Sequence, residues 1–306
     1  IPGSIRLVTL RGINLSSANP EVEILINASP QNIHFEKLQS LVLNGENRIF
    51  IKAADLSGAS SEIIQLPDTS STWFVRKPKG EVLIFDDYKG TATTDVQITQ
   101  FYNQVFSEMN GGVLAEKFDV FDLAKNSVAF ESVTLLETLK LFKYVFWYSA
   151  ADPRLDLLNI VTEKYNQAGG KIAFSMTFQD STGEYPYDIS SLQGFLPIDA
   201  ISAPLGVFGT ILPGAEVRPA ATNDFPILRT VGSIQYVRSL TENNIIAENI
   251  YDLFDRDGIR LGNVAFRTRT KNLFFIGMPL NQCNGGQANV SVLLTKIFFE
   301  DFGVTP

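Results

Sequence analysis

The chain has 306 residues, of which 45% are hydrophobic and 19% are charged, and this composition is sufficient for a folded core. The formal net charge of −8 argues against nucleic acid or anionic lipid as the main partner. The sequence contains one cysteine, Cys283, and one histidine, His34. An intrachain disulfide, a Cys/His zinc site and a two-histidine metal motif are therefore excluded.

The first part of the chain has the residue pattern of short β-strands. Apolar residues recur mostly at every second position, and polar stretches such as Asn44–Asn47 separate them as turns. This pattern predicts strands at 5–13, 22–26, 33–35, 41–43, 48–53 and 62–66. We therefore expect residues 1–78 to form a small β-sandwich. The stretches 68–72 and 76–80 are polar or broken by proline and are typical of a linker.

Strands and helices alternate in the region that follows. Continuous apolar runs predict strands at 81–88, 118–123, 144–148 and 171–176. Helical spacing of apolar residues predicts helices at 95–109, 131–142 and 153–168. Because the connections are short, this alternation predicts a parallel, doubly wound sheet.

The last third of the chain is less regular. Residues 181–244 are rich in proline and glycine, so we expect insertions and irregular connections there. Strands are predicted at 248–254, 262–268 and 272–277, the last two antiparallel around a tight link at Arg269–Lys271. An amphipathic helix at 287–302 closes the domain.

Open sheets of this kind bind ligands at the carboxyl ends of their strands, so we place the candidate site there. Carboxylates at this edge can bind Mg²⁺ or Ca²⁺ or act as acid and base. The candidate catalytic residues are Asp86, Asp87 and Asp152, and the candidate ligand-binding residues are Tyr88, Ser175, Thr177 and Gln179. Since successive strand side chains point to opposite faces, we expect only one of Asp86 and Asp87 to face the cleft.

These carboxylates also have structural interpretations. Asp152 precedes Pro153, which is the arrangement of a helix N-cap followed by proline at the first helical position. For Asp86 and Asp87, capping or pairing with a lysine or arginine is the role that we favour over catalysis. No Gly-rich phosphate-binding pattern opens the first crossover, and we predict no cofactor and no metal site.

The segment LNGENRIFIKAADLSGASSE, residues 43–62, resembles the last two strands of fibronectin type III and related immunoglobulin-like modules. Such modules usually space or present another domain. The resemblance therefore implies a fibronectin-like or immunoglobulin-like sandwich in residues 1–78.

Three later segments resemble the class I glutamine amidotransferase-like superfamily, which has a flavodoxin-like fold. They are KPKGEVLIFDDY, GGKIAFSM and KNLFFIGMPLNQCNGGQANVSVLLTKIFFEDFG. They are most similar to variants found behind a fibronectin-like module in exported proteins of Bacteroidetes-type bacteria. The resemblance implies that residues 79–306 form a flavodoxin-like three-layer domain with a mostly parallel sheet, in a protein that is periplasmic, cell-surface or extracellular.

Active members of that superfamily carry a cysteine in a G-x-C-x-G turn after the fourth strand and a His-x-Glu pair after a late strand. Here Phe174, Met176 and Phe178 occupy the first pattern, and residues 277–280 contain neither histidine nor glutamate. The resemblance thus implies that the catalytic set has been lost. Cys283, just before the last helix, is an alternative nucleophile, but we favour an unreactive thiol because no histidine is near it in sequence.

We therefore expect a noncatalytic exported or surface protein whose degenerate amidotransferase-like domain binds a small molecule, a glycan or a partner. For a glycan, the candidate stacking residues are Tyr185, Tyr187 and Phe195. The alternative is a carboxylate- or metal-dependent hydrolase acting at the edge of the sheet. In a third interpretation both domains are spacers in a longer chain. No apolar run reaches the roughly 18–20 residues of a membrane-spanning helix, so we predict no transmembrane segment.

Overall fold

The computed structural model describes residues 59, 61–66, 73–75, 77–125, 133–179, 189–220, 224–283 and 287–305, and the strands 7–12, 22–24, 45–47 and 49–54. The chain divides into two compact units, residues 1–77 and 78–306. The strands predicted at 33–35 and 41–43 lie outside the described residues.

The described strands of the first unit pair antiparallel. They are β1 (Leu7–Gly12), β2 (Val22–Ile24), β3 (Gly45–Asn47), β4 (Ile49–Ala54), β5 (Ile64–Leu66) and β6 (Trp73–Val75). One sheet has the order β2-β1-β4-β5, and β3 pairs with β6. The prediction of a turn at Asn44–Asn47 is wrong, because Gly45–Asn47 pairs with a strand that is distant in sequence. These strands do not establish a sandwich.

The second unit is an α/β fold built on one mixed sheet of nine strands. Five of them run parallel to one another: β7 (Val82–Asp87), β8 (Phe118–Asp122), β9 (Tyr144–Ser149), β10 (Lys171–Ser175) and β19 (Leu273–Ile276). The other four continue the sheet from β19, each antiparallel to its neighbour: β13 (Glu216–Pro219), β14 (Leu228–Arg229), β17 (Ala247–Phe254) and β18 (Arg260–Thr268). The order is β14-β13-β17-β18-β19-β10-β9-β7-β8.

The predicted fold class, a sandwich followed by a flavodoxin-like domain with a mostly parallel sheet, is therefore wrong. Half of the pairings within the nine-stranded sheet are antiparallel. The sequence pattern identified β17 and β18 as strands, and the predicted antiparallel pairing of β18 with β19 is confirmed. The further antiparallel strands β13 and β14 were not predicted. Strands β17 and β18 form a long hairpin, and β18 pairs with β19, so the hairpin extends the sheet beyond its parallel half.

The expectation of irregular structure over 181–244 is also wrong for the residues described there. This region contains β13, β14, α4 (Ile189–Gln193), β11 (Ile198–Pro204), β12 (Thr210–Ile211), β15 (Ile234–Gln235) and β16 (Arg238–Glu242). β11 pairs with β16 and β12 pairs with β15, both antiparallel. Strands β12, β14 and β15 are two residues long, and bulges interrupt the pairing of β11 with β16, so this region carries little of the periodicity that reveals a strand in sequence.

Helices cover both faces of the parallel half. They are α1 (Ala92–Gly112), α2 (Val133–Leu139), α3 (Leu155–Gln167) and α5 (Gln287–Thr295), which continues as a π-helix over Lys296–Asp301. Alternate strand residues belong to different cores: Ile84 and Phe146 to the core with α1 and α5, Phe85 and Trp147 to the core with α2 and α3. Strands buried on both faces explain the continuous apolar runs in the sequence.

No helix in the described part of the chain combines the length and the apolar character needed to cross a membrane. This finding agrees with the prediction of no transmembrane segment.

Candidate functional site

The carboxyl ends of the parallel strands align four polar side chains in one row. The strand register pairs Asp122 with Asp86, Asp86 with Tyr148, and Tyr148 with Ser175. Side chains at paired positions of parallel strands point to the same face, and this row lies on the face covered by α1. The candidates Asp86 and Ser175 are therefore brought to one side of the sheet.

Asp86 is held by hydrogen bonds from three elements. Its carboxylate accepts from the backbone N–H of Tyr88 (3.0 Å) and the hydroxyl of Thr99 on α1 (2.9 Å), and it forms a short hydrogen bond with the hydroxyl of Tyr148. The residue is only 1% exposed, and this burial raises the pKa of its carboxyl group, against the effect of the three donors. The carboxylate thus joins β7, α1 and β9.

Asp87 points into the opposite layer. Its Oδ2 accepts from the backbone N–H of Arg154 (2.8 Å) and from the indole N–H of Trp147 (3.3 Å). Burial raises the pKa of Asp87 to about 6, and its Oδ1 has no hydrogen-bond partner. Asp87 therefore satisfies a backbone donor at the start of α3, which is the kind of structural role favoured from the sequence.

Asp152 does not cap α3. The N-cap position is Arg154, which makes no capping hydrogen bond with its side chain, and the helix begins at Leu155. The Asp152 carboxylate is instead largely exposed and pairs with Lys89 at 3.0 Å. The prediction of an Asp152 cap is wrong because the helix starts two residues later than the Asp-Pro pattern indicates, and Asp87 of a distant strand takes the capping role.

Ser175 is fully buried and fully engaged. Its Oγ donates to the carbonyl of Met278 (2.9 Å), accepts from the backbone N–H of Leu280 (3.2 Å) and lies 3.4 Å from the hydroxyl of Tyr102. This hydroxyl ties the end of β10 to the segment that follows β19. Its proton and one of its two lone pairs are used within the fold.

The other predicted ligand-binding residues lie apart from this row. The Tyr88 hydroxyl is 3.4 Å from that of Thr94, at the start of α1. The backbone N–H groups of Thr177 and Gln179 donate to the carbonyls of Ala150 and Ala151, and Thr177 is buried. These two residues follow β10, and their backbone hydrogen bonds join them to the loop after β9 rather than to Asp86.

Large apolar side chains fill the edge beyond β10. Met176, Phe178 and Met278 are buried, and the ring of Phe178 stacks on that of Phe275 at 5.8 Å. The buried guanidinium of Arg238 donates to the carbonyl of Phe178 (3.1 Å).

Cys283 is a buried thiol. Its Sγ lies 3.5 Å from the carbonyl of Pro279, and burial raises its pKa to about 12. A thiol with this pKa is protonated at neutral pH and is a poor nucleophile. His34 lies outside the described residues. The structure thus gives no support to Cys283 as a displaced nucleophile.

The described residues include no group of three His, Cys, Asp or Glu side chains that could hold a metal ion. Phe195, a candidate for sugar stacking, is buried and packs edge-on against Phe174, so that prediction is wrong. Tyr185 and Tyr187 lie outside the described residues.

The sequence analysis did not identify Thr99 and Tyr102, because their contacts depend on which face of α1 packs against the sheet. It assigned Tyr148 to the core, and only the strand register shows its contact with Asp86.

Comparison with models of known protein families finds no match for this chain, and comparison with curated proteins finds none either. The resemblances to fibronectin type III modules and to glutamine amidotransferases therefore stay predictions.

Proposed function

We propose that this protein is noncatalytic and acts by binding a ligand or a partner, and that the polar residues at the carboxyl edge stabilise its fold. The observation that carries this proposal is the engagement of Ser175, whose hydroxyl is shared between Met278 and Leu280 in a fully buried position. A nucleophile needs a free approach and a base, and this hydroxyl has neither among its contacts.

The other groups at the edge support the same proposal. Asp86 accepts three hydrogen bonds, and Cys283 is protonated and buried. Among the described residues of this edge, Asp86, Ser175 and Cys283 are thus packed as part of the core.

The alternative function, a hydrolase that works through a carboxylate, has one observation in its favour. Oδ1 of Asp87 is unpartnered, and a pKa of about 6 suits a general acid or base near neutral pH. Burial and the role of Asp87 at the start of α3 weigh against it, because a substrate would have to displace the packing around Trp147.

Assays of hydrolysis distinguish the two functions. Purified protein is incubated with glutamine and with simple ester and amide substrates, with and without Mg²⁺ or Ca²⁺, and ammonia or acid release is followed. We expect no release above the buffer control. Activity that Cys283→Ser abolishes would contradict the proposal in favour of an amidotransferase, and activity that Asp87→Asn abolishes would support the hydrolase. Circular dichroism of each variant shows that it is folded.

A further inference from the structure

A tight β-hairpin projects between β11 and β12. Val207 and Thr210 exchange both backbone hydrogen bonds, at 3.0 and 3.1 Å. The two residues between them, Phe208 and Gly209, have φ values of 50° and 74°. Positive φ at both central positions is the type I′ geometry, which strongly favours Asn-Gly.

Phenylalanine is an unfavourable residue at this position of the turn. A bulky side chain in the left-handed region is strained by about 1–2 kcal/mol. The Phe208 side chain is also fully exposed, and Val207 beside it is exposed as well. Neither stability nor solubility accounts for an aromatic residue here, whereas aromatic residues are characteristic anchors of protein interfaces.

An apolar hollow of about 240 Å³ lies beside the same hairpin. Its lining combines the apolar residues Val207, Ile211, Leu212, Ala215 and Leu261 with the charged residues Asp255, Arg256 and Asp257. Ile211 and Ala215 are buried and form its floor, and Leu212 is partly exposed at its wall. A cavity of about 150 Å³ is enough for benzene, so this hollow has room for a phenyl ring.

We propose that two copies of this chain associate through this face, Phe208 of each copy inserting into the hollow of the other. The projecting ring and the hollow are neighbours on one surface, so a two-fold axis between the copies makes both insertions at once. The chain supplies both halves of the contact, and no further component is needed. This inference is independent of whether the domain is catalytic.

The charge of this surface favours a second copy of the chain, rather than a lipid bilayer, as the molecule that covers it. Asp255, Arg256 and Asp257 line the hollow and leave one negative charge in excess there, and the chain has a net charge of −8. Anionic headgroups would be repelled there. Association of two apolar surfaces on acidic chains is instead strengthened by salt, which screens their mutual repulsion.

Sedimentation equilibrium of the full chain over a wide concentration range tests the proposal. We expect the mass to rise from 33.8 kDa towards twice that value as concentration increases, and the association to strengthen as NaCl is raised. Phe208→Asn, which suits the turn, and Leu212→Arg, which blocks the hollow, each weaken association at least about 10-fold. Ile245→Asn removes an exposed apolar side chain elsewhere and is the matched control, with unchanged association.

Wild-type protein that stays monomeric at every concentration would overturn the proposal, as would a dimer that Phe208→Asn leaves intact. Binding of monomeric wild-type protein to phosphatidylcholine vesicles, lost in Phe208→Asn, would also overturn it and assign the hairpin to a membrane.

Discussion

Asp86 and Asp87 are neighbours in sequence, yet their carboxylates bind to opposite layers of the domain. Asp86 accepts from Thr99 of α1, and Asp87 accepts from the backbone at the start of α3. Because adjacent side chains of a strand alternate between faces, the pair cannot close on one ion or one substrate. Asp86 therefore binds β7 to the layer that contains α1, and Asp87 binds β7 to the layer that contains α3.

Substitution of Asp87 by asparagine should change how stability depends on pH. The folded protein binds the Asp87 proton more tightly than the unfolded chain, since its pKa is about 6 against an ordinary 3.8. That stabilisation is present in full below pH about 4 and is lost as pH rises through about 6. Asparagine cannot ionise, so the free energy of unfolding of Asp87→Asn relative to wild type should increase by about 2 kcal/mol between pH 4 and 7.5. Urea unfolding at several pH values measures it.

Asp152→Asn is the control for that experiment. Asp152 is exposed and pairs with Lys89 at the surface, so Asp152→Asn should change the free energy of unfolding at pH 7.5 by less than about 0.5 kcal/mol. A flat difference for Asp87→Asn would show that the Asp87 carboxyl is not desolvated.

The hydrogen bond between Tyr148 and Asp86 should appear as an energetic coupling. Tyr148→Phe and Asp86→Ala each remove one partner, and the double variant completes a thermodynamic cycle. We expect a coupling of about 1–2 kcal/mol in the free energy of unfolding, because the acceptor is a buried carboxylate. Tyr144 lies on the same strand and face but donates to the carbonyl of Gly303, so Tyr144→Phe with Asp86→Ala should be additive. Equal couplings in the two cycles would contradict the account.

Ser175→Ala should destabilise the fold by about 2–3 kcal/mol. The substitution leaves the Leu280 N–H and the Met278 carbonyl buried without their partner. Thr93→Ala removes a hydroxyl from the exposed first turn of α1 and should change stability by less than about 0.5 kcal/mol. Thermal and chemical unfolding give both values, and equal losses would show that the Ser175 contacts contribute nothing specific.

The sequence predicts the parallel half of this sheet better than the rest. Strands such as Tyr144–Ser149 are continuous apolar runs because both faces are buried, and α1 and α3 have clear helical spacing. The antiparallel pairing of β18 with β19 across a tight link was predicted correctly. The addition of β13 and β14 beyond β17 could not be predicted, because pairing between strands that are distant in sequence is not encoded locally. The same limit applies to the site: the carboxylates were visible in sequence, whereas the partners Thr99 and Trp147 come from other elements.

Phe208→Asn should stabilise the isolated chain. Asparagine adopts the left-handed conformation at the first central position of a type I′ turn with little strain, so we expect a gain of about 1 kcal/mol. Phe208→Ala keeps the strain and should stay within about 0.5 kcal/mol of wild type. Unfolding is measured at low protein concentration so that association does not contribute. A loss of stability in Phe208→Asn would mean that the phenyl ring packs within its own chain.

The reactivity of Cys283 tests most directly whether the carboxyl edge is closed. This residue is the only cysteine of the chain, and it follows the segment that Ser175 holds against β10. With a chromogenic disulfide reagent at pH 7.5, we predict one thiol per chain after unfolding in guanidinium and none in the native protein over the time in which free cysteine reacts completely. Native protein that reacts as fast as free cysteine would show an open edge with a reactive thiol and would contradict the account.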